Sequence, residues 1–204
     1  MSVAKRYPVP ARTWRVEEEI KRSRFVTTLG RSATADDARA FVAAIRTEFA
    51  DATHNCWAFI AGAPGSSERI GMSDDGEPHG TAGRPMLNML LHSGVGEIAA
   101  VVTRYYGGTK LGTGGLVRAY SGGVQLALAS LPTVERVDLT TIEVSVDYAK
   151  VTAVQQLFPS FGIEVAAQRF ERDAWYQLRL PEERVEGFRA AVLDLTRGQA
   201  RFSS

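Results

Sequence analysis

Residues 107–123, GGTKLGTGGLVRAYSGG, constrain this chain more than any other stretch. The apolar run 98–102 leads into them and the apolar-periodic segment 116–131 leads out, which reads as strand, glycine-rich loop, helix. Such a corner leaves backbone N–H groups unpaired at the positive end of the helix, the geometry of an anion site. No Asp or Glu lies between Glu97 and Glu135, whereas Arg104, Lys110 and Arg118 do. The loop is neither a Walker loop, because Lys110 precedes Gly112, nor a dinucleotide fingerprint, because the run from Gly112 to Val117 lacks the final glycine. The competing reading is mechanical: the glycines only let a strand–loop–helix corner pack tightly.

Charge and cysteine usage narrow the class. The net charge of +1 is too balanced to announce a nucleic-acid binder, yet residues 1–133 carry 15 Lys+Arg against 12 Asp+Glu and residues 134–204 carry 9 against 11. A polyanion is therefore expected on the first half. With Cys56 as the single cysteine there is no internal disulfide, and no apolar run approaches the roughly 20 residues of a membrane span. These features predict a cytoplasmic protein without membrane attachment, a monomer or weak homo-oligomer.

The pattern predicts an α+β chain of two domains, 1–133 and 134–204, parted near Pro132. The second reads as strand 137–148, helix 149–161 ending at Gly162, strands 163–172 and 175–180, a helix opened by Pro181 and running to about 196, and a terminal run 199–202. That β-α-β-β-α-β order is the ferredoxin-like arrangement. The first half predicts paired strands 13–20 and 24–29, then a helix behind a Thr34–Asp37 capping box, with Ala38, Phe41, Val42, Ile45 and Phe49 on one face. Strands 55–61 and 68–72, a helix from Thr81 and strand 96–106 lead to the glycine loop. Trp14, Trp57 and Trp175 are expected in cores or at the domain junction.

A second constellation, SDDGEPHGTAGRPM at 73–86, is a constrained loop ahead of a helix. Of the chain's 19 glycines, 13 lie between Gly71 and Gly123, which favours a surface shaped to contact something. Asp74, Asp75 and Glu77, with His79 beside them, suit a hard divalent cation, magnesium or calcium; the alternative is that solvated carboxylates cap the next helix. Ser121 sits in a predicted helix without the first glycine of a nucleophile elbow, Cys56 lies in an apolar strand, and His54 reads as structural, so no catalytic residue is assigned. Tyr105 and Tyr106, flanked by Arg104 and Lys110, suit stacked bases; strand alternation exposes one and sends the other to the core.

ATHNCWAFIAG (52–62), SDDGEPHGTAGRPML (73–87) and VVTRYYGGTKLGTGGLVRAYS (101–121) together resemble the signature of the IMPACT/YigZ family. His79 departs from it, standing where a small residue is expected. The resemblance implies an N-terminal domain with the fold of the second domain of a ribosomal small-subunit protein, shared with a kinase superfamily and with domain IV of elongation factor G. It implies a C-terminal domain similar to domain V of that factor. Eukaryotic members that look like this chain modulate translational control by competing for an activator of a stress-responsive initiation-factor kinase.

The expected activity is therefore non-enzymatic binding near translation. The partner is RNA or a ribosome-associated factor, with a regulatory protein as a further candidate. The anion-binding set is Arg84, Arg104, Tyr106, Lys110, Gly112, Thr113, Gly114, Gly115 and Arg118. The second reading is an enzyme acting on a phosphorylated small molecule, with a metal at Asp74, Asp75 and Glu77 opposite the glycine loop.

Overall fold

The computed structural model describes residues 6–203, which divide between Arg136 and Val137 into two compact units. In the first, β1 (Arg6–Pro10), β2 (Trp14–Ile20) and β3 (Ser23–Arg31) precede α1 (Ala35–Glu48), β4 (His54–Ile60) and β5 (Ile70–Ser73). Then come α2 (Gly83–Leu91), β6 (Ile98–Tyr105), α3 (Thr113–Ser130) and β7 (Thr133–Val137). Five strands form an antiparallel sheet in the order β2-β3-β6-β4-β5, and β1 pairs with β7 in a separate two-stranded ribbon.

Both faces of that sheet are covered, which explains why central β6 reads as a continuous apolar run. Ile98, Ala100 and Val102 point toward α2 and α3, packing with Phe25, Ile60, Met86, Leu90, Leu116 and Tyr120. Ala99 and Val101 point the other way, toward α1 with its Ala38, Val42 and Ile45. Helix α1 starts as its sequence requires: Thr34 Oγ1 accepts from the Asp37 amide at 3.1 Å and Asp37 accepts from the Thr34 amide at 2.9 Å.

The second unit carries β8 (Leu139–Val146), a 3₁₀ turn (Tyr148–Lys150), α4 (Val151–Gln155) and α5 (Phe158–Phe161). Strands β9 (Glu164–Phe170) and β10 (Ala174–Pro181), helix α6 (Val185–Leu195) and β11 (Arg201–Ser203) complete it. The antiparallel order β11-β8-β10-β9 is the ferredoxin-like one, with Ile142, Val144, Tyr176 and Leu178 packed on Val154, Phe158, Phe188 and Val192.

Several expected elements are redrawn. Strand 137–148 is present as β8, shortened to Leu139–Val146, and is preceded by β7, which pairs with β1; the sequence pattern predicted neither β1 nor β7. Helix 149–161 is broken into α4 and α5, since Pro159 has no N–H to carry the helical ladder across the junction. Pro181 ends β10, and a 3₁₀ turn (Glu182–Arg184) intervenes before α6. None of the three tryptophans is fully buried. Trp14 donates to Ser130 Oγ at 2.9 Å, Trp57 stacks on Phe59, and Trp175 lies under the Arg169 guanidinium.

Candidate functional site

The start of α3 is bare. Gly112 is its N-cap residue, at φ 77°, a left-handed backbone that glycine adopts without strain, and it offers no side chain to the helix. The Leu116 amide takes the Gly112 carbonyl at 2.9 Å, so the amides of Thr113, Gly114 and Gly115 come before the first intrahelical bond. Among the described residues they meet neither a capping side chain nor a backbone carbonyl, and the first turn holds no acidic residue. Lys110, Gly112, Thr113 and Gly114 are exposed. At the other end of the loop packing dominates: Gly107 passes against the Arg22 carbonyl with no room for a Cβ, and its amide donates to Ser23 Oγ at 3.2 Å. The packing reading thus holds at Gly107, while Gly112 leaves the first amides of α3 without a side-chain cap.

Helix α2 shows what a neutralised N-terminus looks like. Asp74, nine residues ahead of Gly83, lays its carboxylate across that end, accepting from Gly80 (2.8 Å), Ala82 (3.0 Å) and Gly83 (2.8 Å). Burial works to raise the Asp74 carboxyl, but the amides of Gly80, Gly83 and Ala82 outweigh it and hold it below the usual carboxylate range.

The α3 terminus opens on a cleft of about 560 Å³ whose other walls are Thr53 and His54 at the start of β4, the 76–78 loop, and Tyr106 with Lys110 and Leu111. Glu77 and Arg104 form its floor, 8% and 5% exposed. Arg104 Nη1 donates to Glu77 Oε1 at 2.6 Å and the Tyr120 hydroxyl to the same oxygen at 2.7 Å, while Arg104 Nη2 reaches Ser23 Oγ at 3.4 Å. The guanidinium lies 5.4 Å from the ring centroids of both Phe25 and Tyr106. Arg104 Nε has no hydrogen-bond partner.

His54 is oriented by the same loop. Its Nδ1 lies 2.8 Å from the Asp75 carbonyl, and because a carbonyl only accepts, Nδ1 carries a proton. Nε2 is left toward the cleft, 3.9 Å from Glu77 Oε1. Asp75 holds this position at φ 42°, its carboxylate accepting from the Asn55 amide at 2.7 Å and pairing with Arg46. Beneath the floor the Cys56 thiol donates to the Asp74 carbonyl, and burial pushes it up to about 12. Burial likewise raises the Tyr120 phenol.

Several sequence expectations are corrected here. Arg104 is not a free cation for a ligand: strand alternation puts it on the inward face of β6 with Ala100 and Val102, where Glu77 neutralises it. Asp74, Asp75 and Glu77 do not converge, each being engaged by different partners, and no group of three or more His, Cys, Asp or Glu among the described residues is arranged to hold a metal. Arg84 lines a separate depression with Gly80, Pro85, Val117 and Ser121. Arg118 is exposed further along α3 and does not line the cleft. Tyr106 is 46% exposed, as one of the two tyrosines had to be, but Tyr105 is not core: it is partly exposed and donates to Asp51 at 2.8 Å. His79 is solvent-exposed beside Asp74.

Arg104, Tyr106, Lys110, Gly112 and Thr113 are therefore the expected residues that the fold gathers at one cleft, Arg104 in its floor and paired with Glu77, with Gly114 and Gly115 contributing the adjoining amides. Sequence reasoning missed Thr53, placed Tyr120 in the family signature without a site role, and read His54 as structural ahead of a catalytic base. The available signal was the pairing of β4 with β6, which sets His54 opposite Arg104.

Among the described residues no helix is long and apolar enough to cross a membrane. Residues 21–128 match the Impact N-terminal domain, and 144–199 match a domain of unknown function, DUF1949. The chain is 46% identical over 193 residues to an IMPACT family member of Haemophilus influenzae, covering 95% of this chain and 94% of that one. It is 45% identical over 190 residues to IMPACT family member YigZ of Escherichia coli, covering 93% of each. A crystal structure of a hypothetical protein superposes with a TM-score of 0.70 at 42% identity, covering 99% of this chain and 98% of that one.

Proposed function

This chain belongs to the IMPACT family, and from that premise we propose that it is a non-catalytic binding protein that docks a phosphate of RNA at the N-terminus of α3. The observation that carries the reading is the uncapped 18-residue helix, whose first three amides have no partner among the described residues, with Lys110 exposed just ahead of it and no carboxylate in the first turn. Amides at a helix terminus form charge-assisted hydrogen bonds with phosphate oxygens, and the macrodipole adds to them. Lys110 supplies the mobile positive charge. Tyr106 supplies a half-exposed ring, one side of it lying near the Arg104 guanidinium, on which a base stacks. A setting near translation rests on the resemblance of the signature to regulators of translational control.

Fluorescence anisotropy with a labelled single-stranded RNA tests this. The parent binds with an affinity that falls as salt rises from 50 to 200 mM, and Lys110→Ala lowers the slope of log K against log salt by about one. Adding Arg118→Ala to Lys110→Ala weakens binding further through the long-range field. A double variant with unchanged affinity and unchanged slope refutes docking at this surface.

A further inference from the structure

We infer that the groove between α2 and α3, on the helical face of the first unit, docks an acidic amphipathic helix of a partner protein. The groove lies outside the cleft and does not depend on the RNA reading.

Charge sets this face apart. Residues 78–96 and 98–134, which contain both helices, hold no Asp or Glu, whereas α1, on the opposite face of the same sheet, carries Asp36, Asp37 and Glu48. Arg84 on α2 and Arg118 on α3 are exposed and make no ion pair among the described residues. Two uncompensated guanidiniums on helices without a carboxylate attract acidic side chains and disfavour basic ones. A second copy laying this same face on itself would set arginine against arginine, so the occupant is a different chain.

Shape and polarity then decide between a protein and a nucleic acid. Two depressions of about 530 and 330 Å³ share Met89 and Gln125, which makes them one groove along the helix pair. Pro85 and Val117 give it apolar wall at one end, Val95 and Leu128 at the other, and Val117 is 37% exposed. Ser121, between them, turns its hydroxyl back on the Val117 carbonyl at 2.7 Å, so the middle of the groove is small and adds little polar surface. Phosphates gain nothing from such a lining, and a surface that follows a nucleic-acid backbone repeats its cations, which this one does not. The apolar stripe of a helix fits it. The α3 wall runs from Val117 to Ala129, about 18 Å at 1.5 Å per residue, enough for three turns of a docked helix with anchors at i, i+3/i+4 and i+7. Asn88 and Gln125, exposed and without side-chain hydrogen bonds among the described residues, meet its polar flanks.

The test uses the full chain and three labelled synthetic peptides of about 15 residues in fluorescence anisotropy. The first carries leucine at i, i+3, i+4, i+7 and i+11 with glutamate on both flanks; the second has lysine for glutamate; the third has serine for leucine. The acidic amphipathic peptide is expected to bind saturably and at least tenfold more tightly than either of the others. The Arg84→Glu, Arg118→Glu double variant is expected to weaken it by about tenfold and to bind the lysine peptide more tightly than the parent does, a reversal that a loss of fold does not produce. Ser121→Arg plugs the middle of the groove with a good helix former and is expected to lower affinity for the acidic peptide at least tenfold, with the circular dichroism and melting temperature of the parent. Equal binding of the acidic and lysine peptides, binding that survives Ser121→Arg, or no saturable binding of the acidic peptide up to about 1 mM overturns the inference. So does RNA binding abolished by Ser121→Arg, which puts nucleic acid in the groove, or a dimer of the chain dissolved by that variant, which makes the occupant a second copy. RNA binding that Ser121→Arg leaves intact and Lys110→Ala weakens keeps the two sites distinct, as the inference requires.

Discussion

Replacing Asp74 by alanine removes the cap of α2 from a distance of eight residues, and its cost follows from what the carboxylate touches. Three amides lose their acceptor, and two of them, on Ala82 and Gly83, belong to buried residues that water does not readily reach. At about 1–3 kcal/mol per orphaned buried donor, with the Gly80 amide recovering water, Asp74→Ala destabilises the first unit by about 2–4 kcal/mol. With a urea m-value of about 2 kcal/mol/M, the midpoint falls by roughly 1–2 M. The reporter is Trp57, in a Trp14→Phe, Trp175→Phe background that silences the other two indoles. Asp74→Asn keeps one acceptor oxygen and loses less, about 1–2 kcal/mol. The pH dependence has a fixed sign. The folded carboxyl is held below its ordinary value of 3.8, so its contribution is complete above that value and disappears as pH falls through the lower folded value. The gap between parent and Asp74→Asn is therefore constant from pH 6 to 8 and narrows below about pH 4. A loss under 0.5 kcal/mol for Asp74→Ala refutes the reasoning.

Further outcomes follow from the same geometry. Glu77→Gln leaves Arg104 buried without its counter-charge and is expected to cost about 3–5 kcal/mol by urea unfolding, most of it recovered in Glu77→Gln, Arg104→Met. Cys56, buried with its thiol pushed up to about 12, reacts with Ellman's reagent at pH 8 only at the rate of opening of the first unit, and at full speed in denaturant. Arg84→Ala, outside the cleft, leaves RNA affinity within about twofold of the parent, whereas Lys110→Ala does not.

Local signals in the sequence carried far, and long-range ones did not. The Thr34–Asp37 capping box, the strand–glycine loop–helix corner and the ferredoxin-like order all depend on neighbours within a few positions, and the structure contains each of them. Strand β7 escaped because its partner, β1, lies more than a hundred residues away. In the acidic loop the capping reading holds for Asp74, which takes the α2 amides, whereas Asp75 goes to Asn55 and Arg46 and Glu77 to Arg104, partners that only the fold brings near. Arg104 reads as a surface cation beside a glycine loop, although the alternation through Ala100 and Val102 places it inward. His54 acquires its direction only from the Asp75 carbonyl, which a positive φ turns toward it.

Two-dimensional ¹H–¹⁵N NMR of the full chain, titrated with 5′-phosphorylated RNA, examines the uncapped helix residue by residue. The amides of Thr113, Gly114 and Gly115 are expected to shift together and saturably, while the Asp74-bound amides of Ala82 and Gly83 stay in place. Binding that shifts other residues and leaves those three amides unmoved contradicts the account.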